Sequence, residues 1–454
     1  MPSFISDWIS YWKKHWALGL VLLLGFINGL IFVFLIPPWQ HYDEPTQFEY
    51  AWLLANHPGL PKPGTYDQAM RREVAASMIE HGFFKGLSIY PNLLSQTEPI
   101  WIGFSQTQDP PIYYWLISLP LRLVRTSDVT FQLYLGRLVS VLLYLITLVA
   151  AYGFTTEITP PGHPLRWIIP ATLALLPGYI DLMTAVNNDV GATAFFSLFL
   201  WVSLRMIRRG FTWMRLLAVI GLAVICFWTK NTVAITVPLL TIPILFSVLR
   251  GPARRYAWMV VIIGGLAGMI CILTTGDMIL AKISPIRPSG ILSAIINKIT
   301  PEWYYQTTAA NLLRTFWGKF GWGHVPLIGG KPYLILLSVT LVGILGSLLF
   351  LWRSWRSFKW DIVILLGVAL LEIWGAAFLR GITSIKGNVF IPGARYAYPA
   401  IIPTVMILSV GWLEIPHFLN RWIRIPIWVQ LVSYFGFFIG LDLLSILSIA
   451  RFYS

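Results

Sequence analysis

Residues 16–48 read WALGLVLLLGFINGLIFVFLIPPWQHYDEPTQF. From Trp16 to Ile36 the run carries no charged residue and matches the about 20 apolar residues that a helix needs to cross a bilayer. It is too long for the apolar core of a signal peptide and lacks a small-residue cleavage site, so it is expected to be retained. Pro37-Pro38 then ends the helix, and Asp43-Glu44 follow at the head of a long polar stretch. Two adjacent carboxylates therefore stand just past a membrane boundary.

The rest of the chain agrees with that opening. Of 454 residues, 57% are hydrophobic and only 11% charged, and the mean hydropathy is +0.70. A soluble domain is about a quarter charged, so the fold class is an all-α polytopic membrane protein. The net charge of +14 sits in short loops between apolar segments and reports topology. No basic stripe lies on a soluble module, which excludes nucleic acid as a partner. Cys226 and Cys271 both fall within apolar runs, which argues against a disulfide framework or a zinc–thiolate site.

Apolar runs predict 11 spanning helices, over 17–36, 134–155, 165–183, 190–207, 213–229, 231–249, 256–274, 333–352, 360–379, 395–413 and 427–449. The piece 111–124 is short, contains Pro120 and ends in Arg122 and Arg125, so it is read as an interfacial helix, as is 68–84. Charge supports that choice. With 111–124 not spanning and the N-terminus cytoplasmic, dense clusters fall in cytoplasmic loops: Arg205, Arg208, Arg209 and Arg215; Arg250, Arg254 and Arg255; Arg353, Arg356 and Lys359; Arg421 and Arg424. The C-terminus and two long loops, 37–133 and 275–332, then face outward. The expected organisation is an N-terminal transmembrane catalytic module over 1–274, a long outer loop over 275–332, rich in Pro, Gly and aromatics, and a C-terminal four-helix part over 333–454.

This topology gathers polar residues at one rim. Asp189, in Val186-Asn187-Asn188-Asp189, joins Asp43 and Glu44 on the outer face. Carboxylates sharing one rim suit proton abstraction, acid–base work or metal binding; each alone is as readily a solvated loop acid. Asp181 reads as a helix–helix hydrogen bond, and Glu372 is an isolated acid within a span. Lys230 occupies a tight outer turn, either as a lysine snorkelling to lipid headgroups or as a cation for a lipid-linked phosphate. Arg137 and Arg395 each open a helix at the same face. His41, His57, His81 and His324 match no zinc spacing.

These residues together resemble the C-type membrane glycosyltransferases, the superfamily of the protein O-mannosyltransferases and the lipid A aminoarabinose transferases. The motifs that carry the resemblance are Asp43-Glu44 with Phe48, Gln108-Asp109-Pro110-Pro111-Ile112-Tyr113-Tyr114-Trp115-Leu116, Gly136-Arg137-Leu138, Asn188-Asp189, Thr229-Lys230 and Arg395-Tyr396-Ala397-Tyr398-Pro399. The resemblance implies that Asp43 is the catalytic base, that Asp189 supports the site or a metal, and that Lys230 lies near a donor phosphate. One departure stands out: the aminoarabinose transferases have a lysine before the Pro-Pro pair, where this chain has Asp109. The expected activity is transfer of a sugar from a polyprenyl-phosphate donor to an acceptor hydroxyl at the outer face of the cell membrane, with inversion. Asp43, Glu44 and Asp189 are the expected catalytic residues, and Lys230, Arg137 and Arg395 the donor phosphate ligands. A divalent metal ion held by Asp43 and Asp189 stays open as a cofactor. The expected partners are the lipid-linked donor, membrane lipids and an acceptor of unassigned class; the alternative is a polytopic transporter or lipid flippase, which would place acids deep within broken helices.

Overall fold

The computed structural model describes residues 2–85, 90–250, 302–382, 390–420 and 424–454, with isolated positions between 254 and 266. The described residues form a bundle of apolar helices with one two-stranded hairpin. Helix α1 (Pro2–Leu35) leads into α2 (Glu44–Asn56), α3 (Gln68–Glu80) and α4 (Ile112–Leu121), the helices of the first long loop. Then come α5 (Val129–Ile158), the pair α6 (Leu165–Leu173) and α7 (Pro177–Met183), α8 (Asn188–Arg209) and α9 (Trp213–Phe227). Two short helices, α10 (Thr236–Leu239) and α11 (Thr241–Leu249), follow in near continuity. The C-terminal half holds α12 (Glu302–Trp317), the hairpin of β1 (Lys319–Phe320) and β2 (Val325–Pro326), α13 (Pro332–Ser354), α14 (Trp360–Leu379), α15 (Ile401–Leu419) and α16 (Ile427–Tyr453). A 3₁₀ segment, Ala394–Ala400, feeds directly into α15.

Among the described residues eight helices are long and apolar enough to span a membrane, or nine if the bent pair α6–α7 counts as one span. The predicted count of 11 is therefore not reached there. The run 165–183 breaks by 65° between α6 and α7, since the N–H-less Pro177 restarts the helix after Leu176. The run 213–229 forms only the 15 residues of α9, short of a full crossing. The expected span 256–274 lies outside the described residues apart from scattered positions. Helix α4, ten residues long, is too short to span, in keeping with its reading as a non-crossing piece.

The second long loop departs further from expectation. Residues 302–317 form α12, whose Tyr304, Thr308, Leu312, Thr315 and Phe316 are buried at helical spacing. Phe316 packs inside the bundle against Trp374 and Tyr398, while Trp303 stays exposed.

Small residues set the closest helix contact. On α13 and α15, Gly343, Gly346 and Gly411 meet backbone to backbone, so that a Cβ on Gly411 would collide with the Gly343 carbonyl. Such small-residue seams let membrane helices approach and gain van der Waals packing. Gly411→Val is expected to destabilise the folded protein by about 1–3 kcal/mol through overpacking, read as a lowered thermal midpoint in detergent; an unchanged midpoint would show that the seam is not close-packed.

Arginines of the first three clusters gather at one end of the bundle. Arg209 pairs with Glu157 at 2.8 Å, Arg353 with Glu414 at 3.0 Å, and Arg250 with Asp361. Helix α8 runs for 22 residues from Asn188 to Arg209, a rise of about 30 Å at 1.5 Å per residue. Asp189 and the arginine clusters therefore lie at opposite ends of the helix, the separation that a spanning reading requires.

Candidate active site

The turn between α1 and α2 is tight and held in an uncommon backbone conformation. Trp39 (φ 71°) and Asp43 (φ 56°) are the only non-glycine residues with positive φ among those described. Asp tolerates this left-handed region, whereas Trp does not, so its conformation must be imposed by its surroundings. Trp39 is fully buried. Its indole N–H donates to Ser77 Oγ at 2.9 Å, its backbone N–H to Glu44 Oε2 at 3.1 Å, and its carbonyl accepts from Trp322 Nε1 at 3.2 Å. Sparsely populated backbone of this kind persists where packing over-determines it, commonly at functional sites. Here it ends in Asp43, just before the first turn of α2, where Pro45 suits the helix start.

Asp43 lines a cavity of about 770 Å³. Three carboxylates, Asp43, Asp109 and Asp189, share its wall with four cations, Lys230, Lys319, Arg380 and Arg395. Arg395 Nη2 meets Asp43 Oδ2 at 2.8 Å, and Lys230 Nζ meets Asp189 Oδ1 at 2.6 Å. Lys230 also donates to Asn188 Oδ1 at 2.6 Å. Asp189 is placed by the start of α8, where its backbone N–H donates to the Asn187 side chain at 2.9 Å; the Asn187 amide in turn reaches the Tyr42 carbonyl at 2.8 Å, linking the two acid-bearing turns. The Tyr396 ring sits among three of the cations: Arg380 lies 4.1 Å, Arg395 4.8 Å and Lys230 5.7 Å from its centroid. The first long loop, α8, the 229–232 turn, the hairpin and the C-terminal half all contribute, so residues 1–274 alone do not complete the cavity wall.

Glu44 and Arg137 are placed differently from the expectation that they share this site. Both are fully buried, and neither lines the cavity. They form a two-pronged pair, with Arg137 Nε on Glu44 Oε1 at 2.9 Å and Nη2 on Oε2 at 2.7 Å. The remaining guanidinium donors go to the carbonyls of Val33 and Ile36, both at 2.8 Å, and Pro37 at 3.0 Å. Glu44 also accepts from the backbone of Val186 at 3.2 Å. Every arm of the pair is consumed inside the fold, tying the end of α1, the start of α2, α5 and the α7–α8 turn together. An arginine without exposed surface has no donor left for a ligand phosphate.

Other acids and histidines also find internal partners. Asp181 pairs with His41 Nδ1 at 2.9 Å, so it reaches a loop residue instead of a neighbouring helix. Burial and the charge of Arg137 hold the His41 imidazole well below its ordinary range. His57 faces Asp67 at 3.7 Å, and His81 turns back to Ser77. Glu372 lies in α14 away from the cavity wall.

Sequence reading passed over several residues of the cavity. Lys319 and Arg380 meet no carboxylate among the described residues; Lys319 donates to Asn311 Oδ1 at 3.2 Å, and its ammonium is pulled below the usual lysine range by burial and by Arg314. The signal for Lys319 was its setting between glycines, Gly318-Lys319-Phe320-Gly321-Trp322-Gly323, where Gly321 (φ 61°) and Gly323 (φ 80°) turn the hairpin. Asp109, the point of departure from the aminoarabinose transferases, sits in the cavity beside Lys230. It accepts from Asn188 at 2.9 Å and Tyr114 at 3.3 Å. Burial raises its pKa, against the opposing pull of Lys230 and the Asn188 hydrogen bond.

The donor set does not fit a divalent cation. Asp43 and Asp189 each already hold a basic side chain, and no group of three His, Cys, Asp or Glu side chains converges among the described residues.

No protein-family model matches the sequence, and no curated protein matches it. Among solved structures, the archaeal oligosaccharyltransferase AglB from Archaeoglobus fulgidus, in complex with an inhibitory peptide and a dolichol-phosphate, aligns with 98% of this chain at a TM-score of 0.52 and 14% identity. The chain spans 56% of the length of that protein. At this identity the likeness is one of fold alone.

Proposed function

We propose that the protein is a membrane glycosyltransferase that moves a sugar from a polyprenyl-phosphate donor to an acceptor hydroxyl at the outer face of the membrane. The observation that carries this reading is the grouping of Asp43 with four cations in one cavity, at the end of the bundle opposite the arginine clusters. Positive clusters favour the cytoplasmic end of a membrane protein, which supports an outward-facing cavity. The solved structure with this fold carries a dolichol-phosphate, a lipid of the proposed donor class.

In the proposed reaction Asp43 takes the proton of the acceptor hydroxyl as its oxygen attacks the anomeric carbon. The bond from that carbon to the phosphate oxygen breaks in line, the anomeric configuration inverts, and the polyprenyl phosphate departs. Lys230, Arg380 and Arg395 stabilise the departing charge, which needs cations more than it needs a general acid. Lys319 adds a further positive charge to the same wall. Asp189 holds Lys230 in place, while Glu44 and Arg137 support the turn that presents Asp43.

The direct test is purified protein in lipid nanodiscs with a panel of radiolabelled polyprenyl-phosphate sugars and a mixture of glycan, glycolipid and peptide acceptors. Release of polyprenyl phosphate together with a labelled acceptor is the expected result; a folded protein that consumes no donor of the panel would overturn the reading. Because the two acids are already neutralised by basic side chains, EDTA is expected to leave the transfer rate unchanged. A chelator-sensitive rate restored by Mn²⁺ or Mg²⁺ would show that a metal displaces Lys230 or Arg395 during turnover.

A further inference from the structure

A second cleft, of about 600 Å³, lies between the end of α2 and α4 and is separate from the candidate active site. Its wall carries Arg122, Arg125, Trp115 and the stretch Leu54–Leu60. Neither arginine meets a carboxylate among the described residues; Arg122 makes one hydrogen bond, to the Leu54 carbonyl at 3.3 Å, at the cleft edge. Beside them runs an exposed apolar stripe. Trp115 and Leu119, four residues apart on one side of α4, are 49% and 41% exposed, and Leu123, in the turn just past the helix end, is 87% exposed.

Position along the chain says what this stripe faces. The long span α5 begins at Val129, four residues after Arg125, and Phe131 in its first turn is 50% exposed. The cleft therefore sits where a membrane helix enters the bilayer, at the end that also holds Glu44–Arg137 and the cavity. A short helix with an apolar stripe and basic residues beside it lies in the headgroup layer. Two guanidinium groups without carboxylate partners at that depth match the phosphate of a lipid headgroup, which arginine binds through paired N–H donors.

We propose that this cleft is a binding site for the headgroup phosphate of an anionic bilayer phospholipid, held by Arg122 and Arg125, with Trp115, Leu119 and Leu123 against its acyl chains. The site lies outside the catalytic cavity, so the proposal stands or falls independently of the glycosyltransferase reading.

The test uses the full-length protein in nanodiscs containing phosphatidylglycerol, extracted gently and weighed by native mass spectrometry. Wild type is expected to retain phosphatidylglycerol, and Arg122→Ala/Arg125→Ala to lose about tenfold or more of that occupancy. The Arg122→Lys/Arg125→Lys variant, which keeps the charge, is expected to recover part of it. A phosphate-free galactosyl diacylglycerol should not be retained by wild type. Soluble glycerol 3-phosphate should not compete, because the acyl chains supply part of the affinity. Equal retention by wild type and the alanine variant, each monodisperse with the same thermal midpoint, would overturn the proposal, as would equal retention of the galactolipid or full displacement by glycerol 3-phosphate. Should the alanine variant fail to fold, the lysine variant and the two ligand arms decide the matter.

Discussion

Asp43→Asn is expected to lower sugar transfer by about 10²–10⁴-fold, the usual cost of removing a positioned general base, while the protein folds and inserts normally. The asparagine keeps the shape of the side chain and a carbonyl oxygen for Arg395, which now meets Asp43 Oδ2 at 2.8 Å. It also tolerates the left-handed backbone at this position (φ 56°) about as well as aspartate does. The side chain is 29% exposed to the cavity, so little packing is disturbed. Single-turnover transfer from the accepted polyprenyl-phosphate sugar, at matched amounts of monodisperse protein, measures the effect. A rate within a few-fold of wild type would remove Asp43 from the base role and leave its pairing with Arg395 as its whole function.

The neighbouring substitution should behave in the opposite way. Glu44→Ala leaves Arg137 charged and without its carboxylate in a site with no exposed surface. Removing one partner of a buried ion pair costs about 3–5 kcal/mol, and here the backbone N–H groups of Trp39 and Val186 lose their acceptor as well. Loss of folded protein is therefore expected, seen as a lower thermal midpoint and aggregation on size exclusion. Replacing both partners with apolar residues, Glu44→Leu with Arg137→Met, should recover part of the stability, because it removes the stranded charge. If Glu44→Ala kept the wild-type midpoint yet lost transfer as fully as Asp43→Asn, Glu44 would belong to the chemistry and not to the scaffold. Two adjacent acids, one failing in catalysis and the other in folding, would separate their roles cleanly.

The apolar runs made the class of fold legible, because a bilayer allows little besides helices of about 20 apolar residues. They were less able to show where a run stops being one helix. Pro177 in the run 165–183 and the short length of α9 depend on local breaks that composition alone averages away. Helix α12 was hidden for the opposite reason: its aromatics suggested a surface loop, while Tyr304, Thr308 and Leu312 already had the spacing of a buried helical face.

Of the candidate site, the residue types followed from the sequence by itself. Asp43, Asp189, Lys230 and Arg395 were all named from motifs and charge asymmetry, and the tertiary structure brings all four to one cavity. What only the structure decided was the partner of each charge. Glu44 and Arg137 carry the same residue types as the cavity pairs, and nothing in their local sequence tells a buried fork from a ligand site. The difference is set by contacts between residues 93 positions apart, and by which carbonyls happen to lie within reach of one guanidinium. Likewise Lys319 and Arg380 join the cavity only because the hairpin and the end of α14 fold over it. Membrane insertion is governed by local transfer free energy and is therefore written along the chain, whereas the pairing of charges depends on distances that exist only once the helices have packed.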